Sequence, residues 1–311
     1  MTTADDMGAD RREILRAERA IANRYWGGLE IRIIVEFVIS AALWVTVIAL
    51  GVRGVIPLWL GLLINTVVAT TFYMPMHEAA HGNIMGRTQG SKFFEDLIGS
   101  LCSIPLGFAY KPHRGSHMRH HAHTNDPLRD PDHFTDGPMS GIITAWLGQV
   151  MLLTLLPLFA FVPAARRLIP RRMQLTLAAS GDRADGLRQL RFWFLTTLVL
   201  VLAFLTGFGW PALLLWYLPA RLQALWLLFI FAWYPHHPAS RTGRYEHTRV
   251  AVFPGSGLLI RGHDHHAVHH LFPRVPHYRL EALWQEIAED MVAKGVRCEG
   301  SATAATGPII W

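Results

Sequence analysis

The chain has 311 residues, of which 51% are hydrophobic and only 17% are charged, and its mean hydropathy is +0.24. A typical soluble domain carries about 25% charged residues, so this composition argues for a membrane protein. The formal charge of +6 would suit an anionic partner. However, the arginines stand in loops between apolar runs, as on the cytoplasmic face of membrane proteins, so nucleic acid is excluded as a partner. Two cysteines form neither a disulfide framework nor a zinc ribbon.

The beginning of the chain predicts a polar arm and a first membrane hairpin. The first 30 residues are mixed in charge and lack a signal-peptide hydrophobic region, so we expect them on the cytoplasmic side. Apolar runs follow at 37–52 and 55–76. The second run is long enough to cross a hydrocarbon core of about 30 Å, and the first crosses with help from its flanks. We therefore predict a helical hairpin that returns to the cytoplasm at His77.

Two further apolar runs do not fit a simple crossing. Leu97–Tyr110 is short and is interrupted by Pro105 and Gly107, so we expect an interfacial or re-entrant element. Residues 141–162 are long enough to cross, but seven arginines follow between 163 and 191. A crossing would place this basic segment on the wrong side of the membrane. We therefore expect 141–162 to lie in the cytoplasmic leaflet.

A second hairpin is predicted between Phe192 and Pro235, with its turn at Gly207–Pro211 or at Pro219–Arg221. An arginine at the bilayer centre costs about 2.5–3.5 kcal/mol, which favours the later turn and places Arg221 at an interface or a wet cavity. The predicted fold is all-α and integral to the membrane, with two hairpins (four spans), interfacial helices and a cytoplasmic histidine-rich cap. The arm, the membrane domain and the tail are assigned to residues 1–30, 31–290 and 291–311.

All 17 histidines fall in two windows, His77–His133 and His236–His277. None occurs in the 102 residues between these windows, a gap that scattered surface histidines would not leave. In the predicted topology, each window follows one hairpin on the same face of the membrane. The two windows therefore point to a shared site.

Three motifs within these windows place imidazoles on helix faces. HEAAH spaces two histidines at i and i+4, whereas HMRHH and HAVHH each space three at i, i+3 and i+4, so the side chains of each motif can reach one site. His113 and His263 stand one turn earlier on the latter two stripes. Eight such ligands exceed what one tetrahedral zinc uses, so two metal ions are indicated, and imidazole suits iron, zinc, copper or nickel. The candidate ligands of the three motifs are His77, His81, His117, His120, His121, His266, His269 and His270.

These motifs, with 35 residues between the first two and a hydrophobic hairpin before the third, resemble the membrane fatty acid desaturase superfamily, which includes hydroxylases and carotenoid ketolases. The resemblance covers roughly residues 37–290. HHLFPRVPHYRL at 269–280 is similar to acyl-lipid desaturases, and HHAHTNDPLRDPD at 120–132 is shared more loosely with carotenoid-oxygenating members. The resemblance implies a non-haem di-iron centre that uses O₂ to oxidise an unactivated C–H bond. Acyl-chain desaturation is the expected reaction, with lipid or carotenoid hydroxylation or ketolation as the alternative.

The resemblance also implies one ligand from the end of the helix before the third motif. His237 is the expected residue, with His236 as the second choice, and His113 is held in reserve for the ligand set as a whole. Some acyl desaturases have an asparagine one turn before this ligand, whereas this chain has Trp233 there. The second ring nitrogens of metal-bound imidazoles need acceptors. The available carboxylates are Glu78, Asp126, Asp130, Asp132, Asp264 and Glu246.

Two other functions match parts of the pattern. HEAAH satisfies the HExxH motif of zinc metalloproteases, but a membrane protease would leave the other two motifs unexplained. A metal transporter is the alternative outside enzymes, although transport sites place ionisable residues at mid-bilayer and these histidines lie outside the apolar runs.

The expected partners follow from the chemistry. No haem or flavin motif is present, so we expect a separate ferredoxin- or cytochrome-like electron donor, for which Arg241, Arg244 and Arg249 are docking candidates. The expected substrate is a lipid acyl or isoprenoid chain. We expect the chain in a bacterial inner membrane, with its histidine motifs facing the cytoplasm.

Overall fold

A computed structural model describes residues 4–88, 92–169, 171, 173–174 and 183–302. The described chain is mostly helical, and π-helical segments continue the last span at Leu213–Tyr217 and Leu228–Trp233. Short 3₁₀ turns lie at His133–Thr135, Pro163–Leu168, His263–His265 and His277–Arg279. The helices are α1 (Ala4–Ala22), α2 (Ile31–Val52), α3 (Leu58–Thr71), α4 (Tyr73–His81), α5 (Phe93–Leu106), α6 (Tyr110–His123), α7 (Gly141–Thr154), α8 (Leu156–Phe161), α9 (Arg183–Leu205), α10 (Gly209–Ala212), α11 (Pro219–Leu227), α12 (Ser256–Leu259), α13 (His266–Leu271) and α14 (Leu280–Ala293).

Four segments of the described chain are long and apolar enough to cross a membrane: Ile31–Val52, Leu58–His81, Arg183–Leu205 and Gly209–Trp233. They form the two hairpins that the sequence predicts. The apolar window of the third span is 0% buried, and that of the first is 17% buried. In water such exposed apolar faces would be unfavourable, whereas lipid covers them. The chain is therefore an integral membrane protein.

The second hairpin turns earlier than the sequence suggested. α9 ends at Leu205 and Gly207 has φ of +85°, so Arg221 lies in the middle of the fourth span. The turn thus lies at Gly207–Pro211, the first of the two predicted positions, and the preference for a turn at Pro219–Arg221 is wrong. Arg221 is only 8% exposed, and its guanidinium lies 4.1 Å from the Tyr217 ring centroid. Protein rather than lipid surrounds this charge, which makes its depth tolerable.

The two remaining apolar runs, 97–110 and 141–162, form helices that are too short to span a membrane, and the second run is divided between α7 and α8. α5 and α7 have 14 residues each, about 21 Å at 1.5 Å per residue, against a hydrocarbon core of about 30 Å. α5 packs against α4 and α6, and α7 packs against the fourth span. That neither run crosses the membrane stays a prediction, which the lengths of the two helices favour.

Two short strands, β1 (Arg249–Val252) and β2 (Arg297–Gly300), pair in parallel with their first residues opposite each other, a sheet that the all-α prediction did not include. Arg249 ties this sheet to the end of the fourth span. It donates two hydrogen bonds to the Tyr234 carbonyl, at 2.9 and 2.6 Å, and pairs with Glu299 at 2.6 Å. Strand β2 lies in the segment 291–311 that the sequence analysis assigned to a tail. Through β1 and Arg249, this strand is connected to the end of the fourth span.

Candidate metal centre

Helix continuity brings the first two motifs together on one side of the spans. α4 prolongs the second span beyond α3, so His77 and His81 lie on one face at its end, and Gly82 ends the helix with φ of +74°. α6 packs against α4 and carries the second motif. The third motif is on α13, which starts after a 3₁₀ turn. That turn requires Gly262, because φ is +84° and a Cβ there would lie 2.3 Å from the His277 carbonyl oxygen.

Nine histidines form two adjacent groups in which the ring nitrogens lie within 4.8 Å of one another. The His81 and His117 Nε2 atoms are 2.9 Å apart in the first group, and the His236 and His266 Nε2 atoms are 3.0 Å apart in the second. The first group contains His77, His81, His117, His121 and His269. The second group contains His120, His236, His266 and His270.

Each HxxHH motif contributes to both groups. In α6 the i and i+4 residues, His117 and His121, belong to the first group, and the i+3 residue His120 belongs to the second. In α13 the assignment is reversed, because the i+3 residue His269 joins the first group. The i+3 side chain is rotated from the i and i+4 pair around the helix, so one helix can serve two neighbouring centres. Two centres are therefore a consequence of the spacing itself.

The donor set fits metal ions. Among the described residues, the group members with a buried imidazole nitrogen that lacks a hydrogen-bond partner include His77, at both ring nitrogens, and His270, at Nε2. Such unpaired polar atoms are costly unless a ligand satisfies them. Burial also lowers the pKa of six histidines well below the usual 6.5, which keeps them in the neutral form that binds metals. These six are His117, His121, His236, His266, His269 and His270.

Asp130 orients His120. Its Oδ1 lies 2.8 Å from Nδ1 of His120, which leaves Nε2 of that ring for the second group. Burial opposes protonation of His120, yet the charges of Asp130 and Asp132 raise its pKa above the usual value. Asp130 is itself held by the backbone N–H groups of Asn125 and Asp132, at 2.6 and 2.8 Å. This carboxylate–imidazole pair is the usual support of a metal-bound histidine.

Thr124 supports His270 in a comparable way, a residue that the sequence did not single out. Its hydroxyl donates to the His120 carbonyl at 2.7 Å and lies 3.2 Å from Nδ1 of His270. Because the hydroxyl proton is used by His120, Nδ1 of His270 is the donor in the second contact. Nε2 of His270 is then the deprotonated nitrogen, and it is the atom left without a partner.

The structure places His236, and not the expected His237, in the second group. The His237 ring stacks on Trp233 with centroids 4.5 Å apart. The segment Leu228–Trp233 is π-helical, so its end presents a different residue from the one an α-helical count suggests. The residue one turn before His236 is Ala232, which lines the cavity described below.

The remaining candidate carboxylates divide into two sets. Asp132 Oδ2 lies 3.8 Å from Nδ1 of His120, and Glu78 Oε1 lies 3.8 Å from Nδ1 of His77. Asp126, Asp264 and Glu246 do not reach the groups. They bind instead to backbone and Arg129 in an exposed turn, to Ser256 and His265, and to Arg241, respectively.

Two further histidines border the groups without joining them. His263 is 1% exposed, and its ring centroid lies 4.7 Å from that of His77. His113 stacks on His117 with centroids 5.7 Å apart. Both line the cavity described next.

An apolar cavity of about 400 Å³ adjoins both histidine groups. His77 and His117 of the first group and His120 and His266 of the second lie in its wall. The rest of the wall is formed mainly by apolar side chains from α7, α8, the fourth span, the 3₁₀ turn at His133–Thr135 and the segment just before α6. They include Phe108, Phe134, Leu152, Leu156, Leu227, Leu228 and Phe231. Such a surface suits an apolar ligand.

Comparison with known proteins agrees with this geometry. The sequence model of the fatty acid desaturase family matches residues 53–301. An omega-6 fatty acid desaturase from chloroplasts of Brassica napus is 26% identical over 71% of this chain and 52% of its own length. An sn-1 acyl-lipid omega-3 desaturase (ferredoxin) of Synechocystis is 26% identical over 72% of the chain and 66% of its own length.

A beta-carotene ketolase of Paracoccus is 24% identical over 69% of this chain and 74% of its own length. The chain thus spans about half the length of the plant relative and more of the two bacterial proteins. The family match covers most of the chain, including all three histidine motifs. The protein therefore belongs to the fatty acid desaturase family.

Proposed function

We propose that this protein desaturates a lipid acyl chain with O₂ at a pair of iron ions held by the two histidine groups. The observation that carries this proposal is the apolar cavity, whose wall includes histidines of both groups. A methylene chain in the cavity would pass beside both metal positions. This placement matches a reaction that removes hydrogen from two neighbouring carbons.

The imidazole ligands and the proposed oxidation together favour iron over zinc. Zinc and iron both accept imidazole, but zinc has no redox chemistry and serves no oxidation of a C–H bond. When bound, a pair of iron ions would supply the O₂ activation and hydrogen abstraction that no side chain performs. Asp130 contacts Nδ1 of His120, and Thr124 contacts Nδ1 of His270. These contacts would hold both imidazoles in the orientation in which Nε2 binds the metal.

The protein's own contribution is positioning and exclusion of water. Phe231, Leu227 and Leu228 of the fourth span contact the cavity beside Tyr73, which comes from the second span. Apolar walls hold a hydrocarbon chain at a defined depth and keep bulk water from the reacting carbons.

Carotenoid oxidation is the second candidate. The ketolase relative is covered to 74% of its length, against 52% for the plant desaturase, so this chain is closer in size to the ketolase. The cavity surface is equally suited to an isoprenoid chain. Product analysis separates these two candidates.

The zinc protease reading of HEAAH has no geometric support. Glu78 is 1% exposed and accepts a hydrogen bond from Asn83 at 2.6 Å and from the His277 backbone at 3.1 Å. A general base must reach a water at an open metal position. Glu78 instead belongs to a buried network behind His77. Metal analysis gives an independent check, because the oxygenase predicts about two iron ions per chain and a protease about one zinc.

The test is lipid and pigment mass spectrometry of cells that express the chain together with a ferredoxin and its reductase, with and without a carotenoid pathway. Desaturation removes two hydrogens from a fatty acid. Hydroxylation adds one oxygen, and ketolation replaces two hydrogens by one oxygen. We expect unsaturated acyl chains, and iron-loaded protein that changes neither lipids nor carotenoids would contradict the proposal.

Ligand variants connect the product to the site. His120→Ala and His266→Ala should each reduce turnover below about 1% while membrane insertion is retained, because each removes a metal-binding imidazole. His123→Ala is the matched control, since His123 lies on the same helix as His120 but outside both groups. Near-normal turnover in either ligand variant would refute the assignment.

A further inference from the structure

A second concavity, called the basin below, lies on a different side of the histidine groups from the apolar cavity. It has a volume of about 690 Å³, and His121 and His270 form part of its wall. These residues come one from each group, and their rings stack with centroids 4.1 Å apart. On α6 the basin is lined by Met118, His121 and Ala122, whereas the apolar cavity is lined by other faces of the same helix. The two groups therefore stand between the substrate cavity and this basin.

The basin is cationic. Arg19, Arg244 and Arg274 line it, and no carboxylate occurs among its described lining residues. Arg244 is partly neutralised by Glu18 at 3.4 Å. Arg19 and Arg274 are exposed, and neither is ion-paired with a described carboxylate. Two uncompensated charges beside a concave surface attract an acidic partner and raise its association rate.

An aromatic side chain among these arginines provides an apolar contact surface in the basin wall. Trp26 is half-buried in the basin wall. The guanidinium carbons of Arg87 and Arg274 each lie 4.9 Å from its ring centroid. Tryptophan and arginine are the residues that most often dominate protein–protein binding energy. A partner protein, rather than a small anion, uses both features.

The other arginines considered from the sequence do not line the basin. Arg249 is buried against Glu299, and Arg241 pairs with Glu246 at 2.6 Å. Arg244 is the one of the three that the structure places in the basin wall. The docking charge is therefore contributed mainly by Arg19 and Arg274, which the sequence analysis did not single out as docking residues.

We propose, on the basis of the proposed function, that this basin docks an acidic one-electron carrier of the [2Fe–2S] ferredoxin type and that electrons enter through His121 and His270. The chain has two cysteines, which are too few to hold an iron–sulfur cluster of its own. Each turnover removes two hydrogens from the substrate and reduces O₂ to two waters. The substrate provides two electrons and two protons. Two reduced carriers provide the other two electrons, and water provides the other two protons.

The first experiment measures binding. The full chain in phosphatidylcholine nanodiscs is titrated with a plant-type [2Fe–2S] ferredoxin at low and high salt. We expect binding that weakens with salt, and a loss of affinity of about tenfold in R19E/R274E. The matched control is R53E, because Arg53 is exposed in the turn between the first two spans. Absence of binding in the wild type, or equal affinity in R19E/R274E, would overturn the proposal.

The second experiment separates docking from catalysis. With ferredoxin as donor, R19E/R274E should show a raised KM for ferredoxin and an unchanged kcat. In a single turnover after reduction with dithionite, the variant and the wild type should form equal amounts of product. Failure of the wild type in the dithionite experiment contradicts the proposed function, whereas an unchanged KM in an active variant contradicts the docking site alone. Rescue of the variant by phosphatidylglycerol would assign the basin to lipid headgroups and also overturn the proposal.

Discussion

The imidazole of His236 completes the second histidine group, although its neighbour His237 has the same side chain. The distinction lies in direction. Nε2 of His236 is 3.0 Å from Nε2 of His266, whereas the His237 ring lies on Trp233. His236→Ala should therefore reduce the iron content from about two to about one per chain, and His237→Ala should retain both. Elemental analysis of purified protein measures this, and equal iron loss in both variants would contradict the assignment.

Asp130 and Asp126 form a matched pair for testing carboxylate support. Both lie in the loop after α6, but only Asp130 contacts His120, at 2.8 Å. Asp126 accepts from the side chain and backbone of Arg129 in an exposed turn. Loss of a carboxylate behind a ligand typically costs 10–100-fold in metal affinity, so Asp130→Asn should weaken iron binding by about that factor. Asp126→Asn should not. Chelator competition measures both, and equal iron affinities would contradict the role of Asp130.

The spacing of histidines in the sequence predicted most of the site, and the orientation of individual side chains explains the rest. The i, i+3 and i+4 positions identified eight histidines that the structure brings into the two groups. Spacing does not decide between adjacent residues at the end of a π-helical segment, and it does not rank loop acids. It also passes over Thr124, because a hydroxyl becomes relevant only through its contact with a ring from another element.

A buried ion network connects several elements behind the first histidine group. His277, in the 3₁₀ turn before α14, pairs with Glu36 of α2 and with Glu78 of α4, each at 3.3 Å. Burial opposes its protonation, but the hydrogen bonds to these two carboxylates raise its pKa to about 9. The protonated ring thus joins the 3₁₀ turn before α14 to the first two spans.

This network predicts a pH dependence of stability. The pKa of His277 is about 9 in the folded protein and 6.5 ordinarily, so its contribution is complete below pH 6.5 and is lost as the pH rises through about 9. The melting temperature in detergent should fall over this interval, and His277→Gln should remove the slope. His133→Gln is the control, because His133 pairs with Asp136 at 3.5 Å away from this network. A constant wild-type melting temperature would contradict the prediction.

Hydropathy predicted the long apolar helices better than it predicted the short elements and the turns. The four spans are long apolar runs and were predicted, whereas the turn of the second hairpin depended on the surroundings of Arg221. Its tolerance in mid-span comes from burial and from the Tyr217 ring, which are tertiary features. The β1–β2 pair joins segments about 50 residues apart in a parallel arrangement, and local pattern carries no information on such a pairing.

The whole molecule has a directional arrangement. All three motifs and the basin belong to segments at the same ends of the four spans, and both hairpin turns lie at the other ends. The sequence predicted this common face from the two histidine windows. In the proposed function, a lipid substrate would reach the histidine groups from within the membrane, and a soluble electron donor would reach them from water. The two reactants need not compete for one entrance.

This arrangement predicts the topology that the chain adopts when it is expressed in the inner membrane of a bacterium. Arg183 and Arg188, at the start of the third span, lie on the histidine side, where Asp185 pairs with Arg119 of α6, so that side should be cytoplasmic. Arg53→Cys and Thr206→Cys, in the two hairpin turns, should react with a membrane-impermeant maleimide in intact spheroplasts. Arg129→Cys, on the histidine side, should react only after permeabilisation. The native Cys102 and Cys298 are buried and should give little background. Labelling of all three variants in intact spheroplasts would place the turns and the histidine side on one face, which this fold does not permit.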